Sequence, residues 1–443
     1  MNLRKSIAAI ILAVACAVCL CLPFAACKTD KPDHSFNEDE FLVADGGLIK
    51  NAKGEQVMLR GVNAGGLFVT EHWMTGFKYG SSASNDFKSL TETLLSRFGA
   101  EQTLNLWDEY RANWWTEADF KNCADMGFNV IRLPFTYMNV DFGAISDYEN
   151  AGIDYDFTAL DDFINTAERY GMYTILDLHG AYGSQNGQDH SGQIFNSVSE
   201  VDFYSNEKMM GLTAKLWGEL ADHYKDNPAV AGYDILNEPG EKGGTTTTRH
   251  WDFYDMAYKA IRATGDNHVV IFESCWDAQN LPRPEKYGWK NCMYSFHHYA
   301  GDKLTEEGFN SNWKAKLQSI TSQNFGVPLF MGEFTCYSNA HNWEYVLGLL
   351  NDTGWHWTSW TYKVWGRMPW GIVNIIADNK DKVNVSEDSY EDILQKFKKL
   401  GTENANAEYY TFYTVNGEEE REEYKTLADI FKEYCTALPT EEN

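Results

Sequence analysis

The amino-acid sequence predicts an α/β fold, and within that class a (β/α)8 TIM barrel formed by a single domain. Three observations lead to this expectation. Eight short apolar or β-branched runs follow Val57, helical patterns lie between most of them, and polar side chains stand where the runs end. A barrel of this type gathers the C-terminal ends of its strands on one face, so we expect these polar side chains to meet there.

The eight runs are predicted to be strands because each gives way to polar or glycine-rich sequence. Runs that are apolar almost throughout are typical of strands buried on both faces, as in a parallel sheet. The predicted strands cover residues 57–63, 130–135, 173–179, 230–238, 268–274, 293–299, 328–334 and 355–362.

Helical patterns separate most of the strands, and the alternation of strand and helix indicates parallel pairing. The clearest cover residues 159–170, 206–224, 251–264 and 342–351. The charged region from 376 to 435 is less regular, with helices expected over 388–400 and 424–434. The first is expected to extend the loop after the last strand, and the second to close the outer ring of helices.

Polar side chains end all eight predicted strands, which is the register that a barrel with one functional face requires. In chain order they are Asn63, Arg132, His179, Asn237 with Glu238, Glu273, His297 with Tyr299, Glu333, and Trp360. Eight such coincidences carry more weight than any single motif.

The N-terminus reads as a processing segment. Arg4 and Lys5 precede an apolar run over residues 7–22, which is short for a transmembrane helix and fits a signal peptide. The following Phe24-Ala-Ala-Cys27 is similar to a bacterial lipoprotein box. We therefore expect a signal peptide over 1–27 with lipidation of Cys27, a polar tether over 28–40, and the barrel domain with its charged C-terminal extension over 41–443. Ordinary secretion with cleavage nearby is the alternative.

Composition limits the partners and the chemistry. The chain has 443 residues and a formal net charge of −27, which argues against a nucleic-acid partner because phosphates would be repelled. Five cysteines follow the leader at wide spacings that fit no zinc motif: Cys123, Cys275, Cys292, Cys336 and Cys435. We expect most of them to be buried thiols, and one disulfide stays open.

Two glutamates give the strongest chemical signal. Glu238 lies in Tyr233-Asp-Ile-Leu-Asn-Glu-Pro239 and Glu333 in Pro328-Leu-Phe-Met-Gly-Glu-Phe334, each after a short apolar run. A carboxylate that closes a buried strand loses water, which is costly in a purely structural role. Two of them on one face of a barrel suggest the paired carboxylates that cleave glycosidic bonds.

With these motifs, residues 45–362 resemble glycoside hydrolase family 5, a group of retaining β-glycosidases on (β/α)8 barrels. The resemblance implies that Glu238 is the acid/base and Glu333 the nucleophile. It also implies that Arg132 contacts the nucleophile, although a structural ion pair with another acid is the alternative for this arginine.

The resemblance assigns supporting roles to five further residues. Asn237 is expected to hydrogen-bond the sugar 2-hydroxyl, and His179 and His297 to shape the polar floor. Tyr299 is expected near the nucleophile, and Trp360 beneath the sugar at the cleavage point. Four tryptophans are weaker candidates for sugar platforms: Trp73, Trp276, Trp365 and Trp370. For Glu273, binding a sugar hydroxyl and pairing with a base both stay open.

Two longer motifs resemble exo-β-1,3-glucanases within the family. They are Arg60-Gly-Val-Asn-Ala-Gly-Gly-Leu67 with Glu71-His-Trp-Met74, and Asp177-Leu-His-Gly-Ala-Tyr-Gly-Ser-Gln-Asn-Gly187 with Ser191-Gly192. Tyr182 departs from the usual proline, and the segment after the last strand also differs, so linkage and exo-action stay open.

The sequence therefore predicts a retaining β-glycosidase that acts on β-glucan without a metal or other cofactor, lipid-anchored outside the cytoplasm or secreted. Within the fold, an endo-β-1,4-glucanase or mannanase is the alternative, and transglycosylation is also open. From another class, the alternative is a non-catalytic glycan-binding surface lipoprotein. That class could lose either glutamate without penalty, whereas both are present here.

Overall fold

Eight parallel strands close into a barrel in the computed structural model of the chain. The structure describes residues 32–80, 85–240, 248–274, 277, 280–403, 407–415 and 421–436. The predicted signal peptide and Cys27 lie outside the described residues, as do the first residues of the predicted tether.

The described strands fall into the barrel and three small sheets. They are β1 Val43–Asp45, β2 Leu48–Lys50, β3 Arg60–Asn63, β4 Val130–Thr136, β5 Tyr173–Gly180, β6 Val230–Asp234, β7 Val269–Glu273, β8 Cys292–His298, β9 Leu329–Phe334, β10 His356–Ser359, β11 Lys363–Trp365, β12 Val373–Ile375, β13 Ala407–Tyr409, β14 Thr411–Val415 and β15 Arg421–Thr426.

The barrel runs from β3 to β10 in chain order, and the last strand pairs with the first. This closure aligns Trp357 with Arg60 and Ser359 with Val62. Nearly every residue of these strands is buried, as expected for a sheet covered by helices outside and packed side chains inside. The predicted fold class is therefore confirmed.

All eight predicted strands are present, with bounds that differ most at β6. The strand predicted over 230–238 ends at Asp234. Beyond it the backbone hydrogen bonds do not follow the regular strand pattern. Ile235 donates to the carbonyl of Ile271 in β7, whereas Asn237, two positions later, donates to that of Leu178 in β5 on the other side. Glu238 therefore follows the strand in a loop, whereas Glu333 lies within β9.

Helices form the outer layer of the barrel. They are α1 Phe87–Trp114, α2 Glu117–Asp125, α3 Tyr137–Val140, α4 Thr158–Arg169, α5 Glu207–Tyr224, α6 Arg249–Ala263, α7 Glu306–Thr321, α8 Ala340–Asp352, α9 Tyr390–Phe397 and α10 Leu427–Thr436. The four helices predicted between strands are confirmed to within two residues at each end.

The segment before the barrel covers the end at which the strands begin. Phe36 is buried and stacks on Tyr173 with ring centroids 4.2 Å apart, and Phe41 packs on His268. The backbone of Ala44 in the β1–β2 hairpin donates to Asn291. Residues 34–40, which the sequence predicted to belong to a tether, thus lie against the barrel.

The C-terminal region matches the sequence prediction only in part. The helix predicted over 388–400 is present as α9, and Phe397 packs on Tyr110 of α1. The start of the helix predicted over 424–434 is wrong, because β15 extends to Thr426 and pairs with β14. The helix begins at Leu427, where the Thr426 hydroxyl accepts from the Asp429 backbone.

The closing role of α10 is visible in its packing. Phe431 contacts the rings of Phe128, Trp343 and Trp357, so the helix covers the outer side of the strands that close the barrel. Cys123, Cys292, Cys336 and Cys435 are free thiols, and Cys275 lies outside the described residues. Among the helices of the described residues, none combines the length and apolar character needed to cross a membrane.

Candidate active site

His297 brings the two glutamates together at the C-terminal end of the barrel. Its Nδ1 lies 2.9 Å from Glu238 Oε1 and 3.5 Å from Glu333 Oε2. Because both oxygens lie against one nitrogen, they are nearer to each other than the roughly 6.5 Å at which the separation in inverting glycosidases begins. The β8–β9 register shifts next to His297, as often occurs beside functional sites.

Glu333 is held by donors on both carboxylate oxygens. Arg132 Nη1 donates to Oε1 at 2.8 Å, and the Tyr299 hydroxyl donates to Oε2 at 2.7 Å. The residue is 4% exposed, so few water molecules can replace these bonds. A guanidinium and a phenol hydroxyl therefore hold this carboxylate in one orientation.

Arg132 is the centre of a fully buried polar network. Its Nε donates to Asp234 at 2.9 Å and its Nη2 to Asn237 Oδ1 at 2.9 Å, and Nη2 lies 3.1 Å from Asp177. Burial acts to lower the pKa of Arg132, but four surrounding carboxylates, with Asp177 foremost, outweigh it and raise the pKa well above its usual value. Arg132 thus both contacts Glu333 and forms structural ion pairs.

The buried acids around Arg132 hold their protons more tightly than exposed ones. Burial raises the pKa of Asp177 to about 7 and that of Asp234 to about 6, against the lowering effect of Arg132. Burial also raises the pKa of Glu273 well above its usual range. One arginine therefore serves a network of carboxyl groups that are partly neutral at physiological pH.

Glu273 pairs with neighbours inside this network. It is fully buried, its Oε1 accepts from the Glu238 backbone at 3.0 Å, and the same oxygen lies 3.3 Å from His297 Nε2. Of the two roles the sequence left open for this residue, the structure selects pairing with a base.

Glu238 has a different environment from Glu333. Its backbone has φ of 41°, in the left-handed region that residues with a side chain rarely adopt. Oε1 contacts His297, and Oε2 lies 3.3 Å from His190 Nε2. Burial acts to raise the pKa of Glu238, but the hydrogen bond from His297 and the electrostatic interaction with His190 outweigh it and lower the pKa to about 2.

The Glu238–His297 contact therefore holds a proton between an oxygen and a nitrogen. The low pKa of Glu238 favours its carboxylate form. Protonation of Glu238 then depends on the imidazoles that surround it.

Two glycines explain part of the motif pattern. A Cβ atom at Gly332 would lie 2.6 Å from Ser295 Oγ and 3.1 Å from His297 Nε2, so the residue before Glu333 has to be small. A Cβ at Gly180 would lie 2.4 Å from the Ser191 carbonyl oxygen. The loop after β5 can thus fold back on its own strand, close to the site.

That loop also ties two strand ends together. Gln185 Nε2 donates to the backbone carbonyls of His179 and Asn237, each at 2.8 Å. The glycine-rich loop after β5 is therefore hydrogen-bonded to both strand ends, and its glycines allow close packing.

A pocket of about 410 Å3 opens above the glutamates, within the size range of small-molecule sites. It is lined by Glu71, Trp73, His179, His190, Glu238, Tyr299, Glu333, Trp360, Met368 and Trp370. Trp360 stacks on His179 with ring planes 2° apart, and Trp370 packs between Trp73 and Tyr299. Aromatic faces in this arrangement suit the apolar faces of sugar rings.

The structure brings every sequence-predicted site residue within its described part into one connected group. Asn237 belongs to it through its bond with Arg132, and His179 through its contact with Trp360. Of the weaker tryptophan candidates, Trp73 and Trp370 line the pocket, while Trp365 is buried in the core. Trp276 lies outside the described residues.

Sequence reasoning missed several members of the site. Asp177 and Asp234 were not singled out, although both are acids in apolar strands. Asp177 precedes His179 by two positions, on the same face of β5, and Asp234 is the last residue of β6. Glu71 and His190 lie in loops, where no such period exists. Only the first two could have been found from the pattern.

Two acid and histidine clusters bring potential ligand atoms within 4.8 Å of one another. They are Glu71 with Asp189 and His190, and Glu238 with Glu273 and His297. Protein groups already contact both clusters, since Trp73 donates to Glu71 in the first and Arg132 Nη2 lies 3.6 Å from Glu273 in the second. We therefore treat both clusters as polar networks of the site.

Comparisons with known proteins agree with this geometry. The family model of cellulases, glycosyl hydrolase family 5, matches residues 91–366. A beta-xylosidase of Phanerodontia chrysosporium is 31% identical over 59% of this chain and 52% of its own length. A probable glucan 1,3-beta-glucosidase A of Neosartorya fischeri is 32% identical over 48% of this chain and 49% of its own length. The chain spans about half the length of these curated relatives.

Solved structures show the same fold at low identity. An endogalactoceramidase aligns with a TM-score of 0.56 at 19% identity, covering 89% of this chain and 84% of that one. A rutinosidase from Aspergillus niger aligns with a TM-score of 0.56 at 17% identity, covering 74% and 92%. Since the family model covers more than half of the chain, this protein belongs to glycoside hydrolase family 5.

Proposed function

We propose that this protein is a retaining β-glycosidase that hydrolyses β-glucan by double displacement. One observation carries the proposal: the carboxylates of Glu238 and Glu333 lie against the same nitrogen of His297, at 2.9 and 3.5 Å. A pair this close suits direct attack by one carboxylate while the other handles the proton.

In the first step Glu333 attacks the anomeric carbon and forms a glycosyl-enzyme. The contacts that support this role are the hydrogen bonds from Arg132 and Tyr299, which fix the direction of the carboxylate. As the C–O bond forms, negative charge leaves Glu333, and the Tyr299 hydroxyl remains beside the reacting oxygen. Each of these groups is in position before substrate arrives.

Glu238 delivers a proton to the leaving glycosidic oxygen, and that bond breaks as the glycosyl-enzyme forms. The proton comes from the contact that Glu238 shares with His297. In the second step Glu238 takes a proton from water, and the resulting hydroxide displaces Glu333 from the sugar. The same carboxyl group is thus acid and then base, and the reaction needs no metal.

Substrate binding rests on the pocket walls. Trp360 offers a ring face at the cleavage point, and Trp370 with Trp73 forms the facing wall. Asn237 accepts from Arg132 through Oδ1, which fixes its amide group for a bond to the sugar 2-hydroxyl. His179 is held by Asp177 at 2.6 Å and supports the pocket floor.

For the substrate, β-1,3-glucan or a related β-glucoside is our first choice. It is supported by the aromatic lining of the pocket and by relatives whose names include glucan 1,3-beta-glucosidase. An endo-acting β-1,4-glucanase or mannanase would need a longer cleft across the barrel face. Transfer to a sugar instead of water would use the same intermediate.

Product analysis tests the proposal. Laminarin, cellulose and mannan are digested in parallel, and early product is followed by proton NMR. We expect glucose from laminarin with net retention of the anomeric configuration. Net inversion would contradict the nucleophile role of Glu333. Glycan binding without turnover on the whole panel would favour a non-catalytic surface protein, and a ladder of oligomers would indicate endo-action.

We also propose that the chain is exported and lipid-anchored at Cys27, with the barrel outside the cytoplasm. The support is the leader sequence, with its basic start, apolar run and Phe24-Ala-Ala-Cys27. In a bacterial host, wild-type protein should fractionate with membranes and incorporate labelled palmitate, and Cys27→Ala should abolish the label. Unlabelled wild-type protein in the medium would indicate ordinary secretion.

A further inference from the structure

Next to the two glutamates, the geometry points to His190 as a positioning residue that sets the acidity of Glu238. This inference rests on the proposed function, because it concerns the acid/base of that reaction. His190 belongs to the loop after β5 and lies between Gly187 and Ser191, the two parts of the motif that resembles exo-β-1,3-glucanases.

His190 and His297 each take one oxygen of the same carboxylate. His297 Nδ1 contacts Oε1 of Glu238 at 2.9 Å, and His190 Nε2 lies 3.3 Å from Oε2. The His190 side chain is 21% exposed and that of Glu238 14%, so both border the pocket and are open to proton exchange with water. The second oxygen of the acid/base is therefore not free but faces a titratable ring.

Asn186 makes this contact depend on the protonation of His190. The Oδ1 atom of Asn186 accepts from the Gln188 backbone at 3.0 Å, which fixes the amide so that Nδ2 is the donor. That Nδ2 lies 2.8 Å from His190 Nε2. Neutral His190 accepts this bond at Nε2, whereas protonated His190 carries a hydrogen there and can donate it to Glu238.

Two further carboxyl groups lie beside His190. Glu71 and Asp189 have carboxylate oxygens that lie, with a His190 nitrogen, within 4.8 Å of one another. Glu71 is buried against Asp189, and burial followed by this neighbour raises the pKa of Glu71 well above its usual value. His190 thus lies among the carboxyl groups of Glu71, Asp189 and Glu238.

Two further titratable groups lie on the β5 side. The His179 ring is perpendicular to the His190 ring at a centroid distance of 6.1 Å, and burial lowers the pKa of His179 well below its usual value. His179 is therefore neutral and does not repel a charged neighbour. Asp177 lies behind His179 and adds a further carboxyl group on the same side.

These contacts give His190 a definite effect on the reaction. While protonated, it stabilises the carboxylate form of Glu238, which makes Glu238 a stronger acid toward the leaving oxygen. Once neutral, it accepts from Asn186 and leaves Glu238 to hold its proton. Acid strength is thus coupled to the charge of a second imidazole.

The test compares His190→Asn with wild type on two aryl β-glucosides of different leaving-group ability and on laminarin. Asparagine stays polar but carries no charge. We expect the alkaline limb of the kcat/KM profile to move up by roughly one pH unit, because Glu238 loses a stabilising cation. Activity at the optimum should fall roughly tenfold with a poor leaving group but little with 2,4-dinitrophenolate, which needs no proton.

His72→Gln is the matched control, since His72 contacts the same Asp189 at 2.7 Å but lies on the exposed side of the cluster. Its profile should match that of wild type. A His190→Asn profile with an unmoved alkaline limb, or an equal loss on both aryl glucosides, would overturn the inference.

NMR of the His190 ring provides a second test that does not require the His190→Asn variant to fold. In the folded Glu238→Gln protein, the NMR titration of the His190 ring should move to lower pH, because its carboxylate partner is gone. An unchanged titration would overturn the inference. Failure of the proposed function is separate, since it would appear as full laminarin turnover by Glu238→Ala.

Discussion

Glu333 and Glu238 differ in the kind of group that contacts their carboxylate oxygens. Glu333 lies within β9, and its oxygens accept from Arg132 and Tyr299. Glu238 follows β6 in a loop with φ of 41°, and its oxygens face two imidazoles. A permanent cation suits a carboxylate that has to stay ionised, whereas titratable partners suit one that has to gain and lose a proton.

The comparison is tested most severely at Glu333. Glu333→Gln keeps the shape of the side chain but removes the proposed nucleophile, so we expect kcat to fall by at least about 10⁴-fold on aryl β-glucosides and on laminarin. Steady-state kinetics with both substrates measure this. Glu344→Gln on the following helix is the control, and comparable turnover by both variants would show that Glu333 is not the nucleophile.

Removal of Glu238 should have a large effect that depends on the leaving group. Glu238→Ala removes acid and base assistance, which contributes about 10²–10⁴-fold. We expect the full loss with poor leaving groups and formation of the glycosyl-enzyme at a nearly normal rate with 2,4-dinitrophenolate. Pre-steady-state bursts followed by slow turnover are the signature. The same loss on every substrate would mean that the two glutamates do not differ in role.

A substitution at Tyr299 tests the hydrogen bonds to Glu333 without changing the surroundings of Glu238. Tyr299→Phe removes the hydroxyl that donates to Glu333 but keeps the ring beside Trp370. We expect kcat to fall roughly 10²-fold with a smaller change in KM, since one preorganised donor is lost. Tyr337→Phe is the control, because Tyr337 packs on the same Trp370 at 5.4 Å. A pure KM effect would assign Tyr299 to substrate binding.

The smallest effect concerns stability and comes from the buried acids behind Glu333. An unfolded aspartate ionises near about 3.9, whereas the folded Asp177 has a pKa of about 7. The folded chain therefore keeps a proton that the unfolded chain gives up, and the free energy of unfolding falls as the pH rises through this window.

Asp177→Asn removes that loss because the amide cannot ionise. The difference in Tm between the variant and wild type should shift in favour of the variant as the pH rises from about 4.5 to 7.5. Thermal unfolding at several pH values measures this, with the exposed Asp352→Asn as control. A difference that is constant with pH would show that Asp177 is ionised throughout.

Much of the fold followed from local pattern. Apolar runs, helical periods and the residues at strand ends are properties of neighbouring positions, and they predicted all eight barrel strands and the convergence of Glu238 with Glu333. The prediction failed where tertiary pairing decided the outcome. Residues 424–426 were expected to begin a helix, but they belong to β15, which pairs with β14.

What only the tertiary structure decided is the electrostatic setting of the site. The period of a strand shows which side chains share its face, but not which atoms of another strand or loop lie opposite. The contacts of Arg132 with its surrounding acids, and of His190 with Glu238, join segments that are distant in the sequence. Because a pKa depends on lost water and on facing charges, the sequence determined which groups are present, and the folded chain determined where their protons lie.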